Sequence, residues 1–124
     1  MPMTVRAILV SSDLMFISKV KEVASATHST LTVARSVGAL EKALTESGDS
    51  GVLMLDLEKS GAPLDALAPL FVATTSRGWT GVSFFSHVHE ELEEIANLRG
   101  LGSVMPRSRF VKILPVLLSE GRIP

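Results

Sequence analysis

The sequence predicts a single α/β domain, with a five-stranded parallel sheet and helices on both of its faces. Three observations carry that prediction. Short apolar runs alternate five times with longer stretches of helical periodicity. The run Gly51-Val52-Leu53-Met54-Leu55-Asp56-Leu57 is apolar almost throughout, as a strand buried on both faces is. No linker, repeat or low-complexity tract interrupts the alternation across the 124 residues, a length suited to one core and no second module.

Each element has its own signal. Val5 to Val10 reads as a first buried strand. Ser11-Ser12-Asp13 follows, with Ser12 or Asp13 as the N-cap of a helix whose inner face is Phe16, Ile17, Val20, Val23 and Ala24. Ser29 to Ala34 is a second, more polar strand that suits a sheet edge. Ser36 caps a helix carrying Val37, Leu40, Ala43 and Leu44, ended by Gly48. The strand ending at Asp56 is the third. Leu64, Leu67, Leu70 and Phe71 mark the next helix, and Trp79 packs where the fourth strand, Gly81 to Phe85, begins. Glu90 to Arg99 is helical with Leu92, Ile95 and Ala96 inward, and its early glutamates suit the positive end of the helix dipole. Gly100-Leu101-Gly102 breaks it. Ser103-Val104-Met105 is a short fifth strand, and a last helix presents Phe110, Ile113, Leu114 and Leu117. The domain spans 1–124, with its core from Val5 to about Leu118.

Composition narrows the function. The chain is 46% hydrophobic and 20% charged, so it is globular rather than disordered. A net charge of −1 argues against direct nucleic-acid binding. With no cysteine there are no disulfides and no thiolate chemistry, which fits a reducing cytoplasm. The start Met1-Pro2-Met3-Thr4 is not read as a signal peptide, and no stretch suits a membrane span. There is no Gly-rich phosphate loop, nucleophile elbow or zinc signature, so no catalytic residues are assigned.

In open parallel sheets, ligand chemistry collects at the carboxyl ends of the strands. Four loops should therefore converge: Ser11-Ser12-Asp13, Asp56-Leu57-Glu58, Ser86-His87 and Arg107-Ser108. They bring together carboxylates, hydroxyls and a cation. Asp56 could also serve simply to cap the turn after its strand. His87, His89 and Asp56 are a conceivable metal set, but their spacing is unspecific.

On these residues the chain resembles the receiver domains of two-component response regulators, over essentially its whole length. The resemblance implies a flavodoxin-like (βα)5 fold and a role in phosphorelay signalling. Leu-Met-Leu-Asp-Leu matches the family's third strand, making Asp56 the phosphoacceptor candidate. Phe-Phe-Ser matches the fourth, with Ser86 as the hydroxyl. In Val104-Met105-Pro106-Arg107-Ser108, Arg107 stands for the family's lysine and Ser108 for its proline. The family's pair of acids after the first strand, which holds Mg²⁺, is replaced by Ser11-Ser12, with Asp13 one place later. Val104 stands where many members carry an aromatic switch residue, and His87 stands where a small residue leaves access to the aspartate.

Those departures have chemical consequences. Phosphoryl transfer to a carboxylate needs its charge neutralised, chiefly by metal. Mg²⁺ usually takes one or two carboxylates, and at the matching positions Ser11 and Ser12 offer only neutral hydroxyls. Ser86, Arg107, Ser11 and Ser12 are the phosphate-pocket candidates, and Asp13, Asp56 and Glu58 the metal candidates. Asp13 reads more readily as a helix cap. Arg107 either grips a phosphoryl group or locks unphosphorylated Asp56 in a permanent ion pair; a solvated position in a basic first turn is the third reading.

The expectation is an atypical, non-catalytic receiver-like module acting through protein–protein contacts, without standard Mg²⁺-dependent phosphorylation and without a cofactor. The alternative is a working receiver phosphorylated on Asp56 with an altered metal shell. A small enzyme or ligand binder would instead need a deep crevice at the strand ends. The resemblance implies a sensor kinase or downstream effector as partner. It also implies a dimer or partner face at the fourth helix, fifth strand and fifth helix, where Glu90, Glu94, Arg109, Val111, Lys112 and Leu118 are candidates. Pro115 removes one backbone hydrogen bond there and is expected to kink the fifth helix by its second turn.

Overall fold

The computed structural model describes residues 4–86 and 90–124. Strands and helices alternate: β1 (Arg6–Val10), α1 (Leu14–Ala26), β2 (Thr30–Ala34), α2 (Val37–Glu46), β3 (Val52–Asp56), α3 (Leu64–Ser76), β4 (Thr80–Phe85), α4 (Glu90–Leu98), β5 (Ser103–Pro106) and α5 (Arg107–Glu120). The strands form one parallel sheet in the order β2-β1-β3-β4-β5. The chain winds from β1 outward to β2, then crosses back to β3 and continues the other way. The switch point lies between β1 and β3, where the loops after the two strands part. Register places Val10 beside Leu55 and Asp56 beside Phe84.

Every residue of β3 is buried, as its apolar run predicts. Successive side chains feed opposite faces of the sheet. Ala7, Leu9, Val52, Met54, Val82, Phe84 and Met105 pack with α1 and α5. Ile8, Val10, Leu53, Leu55 and Phe85 pack with α2, α3 and α4. The polar β2 lies at an edge, and Trp79 is buried beside the start of β4. Gly102 has φ +73°, and a Cβ there would lie 2.3 Å from the Gly81 carbonyl oxygen, so the entry to β5 needs a glycine on both counts.

Some expectations require correction. Ile95 is not inward but 40% exposed: α4 turns Ala96 to the core, with Leu92 half-buried beside it. The fifth helix runs through Pro115 as one element, with the proline on its exposed side. Leu118 is not available to a partner. It is fully buried among the α1 and α5 side chains.

Candidate functional site

The loops after β1, β3 and β4 and the first turn of α5 meet at the carboxyl ends of the strands. Asp56, the last residue of β3, is completely buried, and its carboxylate is occupied on both oxygens. Oδ1 accepts from the backbone N–H groups of Glu58 and Lys59, at 3.1 and 3.0 Å. This is the turn-capping role open to any aspartate at a strand end. Oδ2 accepts from Ser11 Oγ at 2.9 Å and faces Arg107 Nη2 at 3.5 Å. Ser11 is itself completely buried, and its Oγ accepts from the Asp13 N–H at 3.2 Å.

Asp13 rather than Ser12 caps α1, with Oδ1 accepting from the Phe16 N–H at 3.2 Å. Its Oδ2 faces Arg107 Nη1 at 3.4 Å and Lys59 Nζ at 3.8 Å. The hydrogen bond from Phe16, helped by the Lys59 and Arg107 charges, holds the Asp13 carboxyl below its ordinary value, against an opposing effect of burial. Arg107 therefore bridges two carboxylates, and its contacts of 3.4–3.5 Å are charge contacts longer than ordinary hydrogen bonds. Its position is set from behind. Cζ stacks 4.2 Å from the Phe16 centroid and lies 5.9 Å from that of Phe84. Phe84 stacks in turn on Phe110, centroid to centroid at 4.2 Å. Among the described residues Arg107 Nε is buried without a hydrogen-bond partner.

Several expected residues are elsewhere. Ser12 is turned to Lys59: its N–H and Oγ both donate to the Lys59 carbonyl oxygen, at 2.6 and 3.0 Å. Ser86 and Glu58 engage each other, the serine N–H and Oγ both donating to Glu58 Oε1. His87 and His89 lie outside the described residues, as does the side chain of Glu90. Glu94, Arg109 and Lys112 are exposed and Val111 is half-buried. Sequence reasoning missed Phe16 as the platform for the guanidinium and Lys59 as a second cation for Asp13. The substitution of arginine for lysine was the available signal for Phe16, since only a planar cation stacks on a ring.

The donors do not fit the Mg²⁺ that the resemblance implies. Ser11 and Ser12 offer neutral hydroxyls in place of carboxylates, and the Ser11 Oγ already accepts from the Asp13 N–H; Asp13 caps a helix, and a guanidinium stands against both Asp13 and Asp56. Among the described residues no three acids or histidines converge as a metal site. A cavity of about 650 Å³ lined by Arg6, Asp49, Thr80 and Glu120 lies at the opposite end of the sheet.

No protein-family model matches the chain, and no curated protein sequence matches it significantly. Among solved structures it is similar to the phosphorylated cyanobacterial phytochrome response regulator RcpA, with a TM-score of 0.73 and 14% identity over 98% of this chain and 99% of that one. It is also similar to NtrX from Brucella abortus, with a TM-score of 0.72 and 14% identity over 96% of this chain. The match spans only 27% of NtrX. The fold is the flavodoxin-like fold of response-regulator receiver domains. No described helix is long and apolar enough to cross a membrane.

Proposed function

We propose that this chain is a receiver-fold signalling module that acts through protein–protein contacts in a fixed state, without the usual Mg²⁺-dependent phosphorylation. The observation that carries this reading is the occupied Asp56 carboxylate, buried with both oxygens engaged. To take a phosphoryl group, a carboxylate oxygen must reach phosphorus in line with the leaving group. Here Oδ2 would first have to leave Ser11 and Arg107, and Oδ1 would have to give up the turn it holds. Among the described residues, the metal that normally offsets the gathering negative charge has no ready ligand set.

The reading needs no catalytic step. It assigns the output to surfaces, with a sensor kinase or downstream effector as partner and the exposed Glu94, Arg109 and Lys112 as its charged contacts. An acidic α4 and a basic α5 start also suit a homodimer across a two-fold axis.

One observation favours the alternative, a phosphoacceptor with Arg107 as counter-charge. Asp56 and Ser86 stand at the ends of β3 and β4, and RcpA is described in its phosphorylated form. Intact mass after incubation with acetyl phosphate and Mg²⁺ separates the two. In the phosphoacceptor case an Asp56 oxygen attacks phosphorus, acetate leaves, and a hydroxylamine-labile adduct appears that Asp56→Ala abolishes. The fixed-state module gains no such mass.

A further inference from the structure

Arg107 joins three groups from two other elements. Asp13 belongs to the cap of α1, Asp56 to the end of β3 and Phe16 to the first turn of α1, whereas Arg107 opens α5. Its two terminal nitrogens face one oxygen from each carboxylate, at 3.4 and 3.5 Å. A divalent ion bridging Asp13 and Asp56 would need those same two oxygens, with its own ligand distances near about 2 Å. It would also have to approach a cation that never deprotonates. The guanidinium is held from its other face by the Phe16 ring at 4.2 Å, and its side chain is only 24% exposed, so it is not a freely swinging surface group. Lysine would supply a point charge but neither the planar stack nor two separate donors aimed at two carboxylates.

We propose that Arg107 is the resident cation of this pocket: a guanidinium backed by Phe16 that holds Asp13 and Asp56 in place of a divalent metal ion and keeps such an ion out. The proposal deepens the fixed-state reading and rests on it for the importance of this pocket. It makes the charge of the pocket independent of metal concentration, because the compensating ion is covalently part of the chain. Lys59, at 3.8 Å from Asp13 Oδ2 but 62% exposed, is a screened auxiliary and not the bridge.

The test is a manganese(II) titration of the full chain, followed by paramagnetic broadening of amide resonances and by Tm. In the wild type the amides of Ser11, Asp13, Asp56 and Glu58 keep their line widths, and Tm does not respond beyond a matched ionic-strength control. In Arg107→Ala, or in Arg107→Met, which keeps an apolar stem against Phe16, those amides broaden selectively and Tm rises by a few degrees as the ion binds the native state. Selective broadening in the wild type overturns the proposal. So does its absence in both variants, which would show that the guanidinium is not what excludes the ion. A phosphate adduct on wild-type Asp56 without manganese binding would instead overturn the fixed-state reading and leave Arg107 as the resident cation.

Discussion

Ser11 Oγ donates a 2.9 Å hydrogen bond to Asp56 Oδ2 across the switch point of the sheet, and both residues are closed to solvent. A neutral donor thus stands where the receiver resemblance leads one to expect an acid. Ser11→Ala leaves a charged acceptor one partner short and should cost about 1–3 kcal/mol. Ser11→Asp puts two buried carboxylates at hydrogen-bond distance, a like-charge contact that destabilises the ionised pair. It should be the more damaging change, and with Arg107 still in place Mg²⁺ should not restore the loss. Urea unfolding followed by the fluorescence of Trp79, the one tryptophan and 3% exposed, reads both. A Ser11→Asp protein as stable as wild type without metal would show that the pocket tolerates the second charge.

Asp56 does two jobs that substitution can separate. Asp56→Asn keeps an oxygen for the Glu58 and Lys59 N–H groups and removes the charge facing Arg107. Asp56→Ala removes both, leaving two inward N–H groups and a guanidinium with one carboxylate lost. The alanine variant should lose about 3–5 kcal/mol, as when one partner of a buried pair is deleted, and the asparagine variant about 1–3 kcal/mol. Equal losses by chemical denaturation would mean that charge alone, and not the turn, sets the cost.

The parts of the molecule legible in the sequence are those governed by periodicity and chain order. The apolar run of β3, the polar β2 edge and the cap before Phe16 follow from local patterns, and alternation with short connections leaves few ways to wind the sheet. Asp56 and Arg107 could be expected to meet because both follow strands of one parallel sheet. What stayed hidden depends on rotamers and on packing between helices. Leu118 looks like a second-face residue on a helical wheel, but α1 covers that side of α5 as well. Ile95 has the spacing of a core residue, yet α4 touches the sheet along a narrow stripe centred on Ala96. The direction of the Ser12 hydroxyl, toward the Lys59 carbonyl, is set by a loop geometry that no spacing rule encodes.

Acid should weaken the site through Asp13. Its folded-state pKa is lowered by the Phe16 N–H and by Lys59 and Arg107. A carboxyl depressed on folding adds stability above its unfolded pKa, near about 4. That contribution fades as pH falls through the lower folded value. Asp13→Asn preserves an N-cap side chain and removes only the charge. Across that acid range its urea midpoint should fall less steeply with pH than that of the wild type, from a lower starting value at neutral pH. Parallel slopes would assign the acid sensitivity to other carboxylates.

The stack of Arg107 on Phe16 should be measurable as a coupling. Phe16 also meets Phe84 and Phe110, with centroids 5.1 and 6.0 Å away, so a single Phe16→Leu substitution mixes lost aromatic packing with lost support of the guanidinium. A double-mutant cycle with Arg107→Met cancels the packing common to both backgrounds. The expected coupling is about 0.5–2 kcal/mol, the range for a partly desolvated cation over a ring. Because the Arg107 side chain is mostly buried and the ring carries no net charge, the coupling should survive in moderate salt better than the exposed Lys59–Asp13 contact does. A coupling near zero would mean that Phe16 only fills space and that the two carboxylates alone hold Arg107 in place.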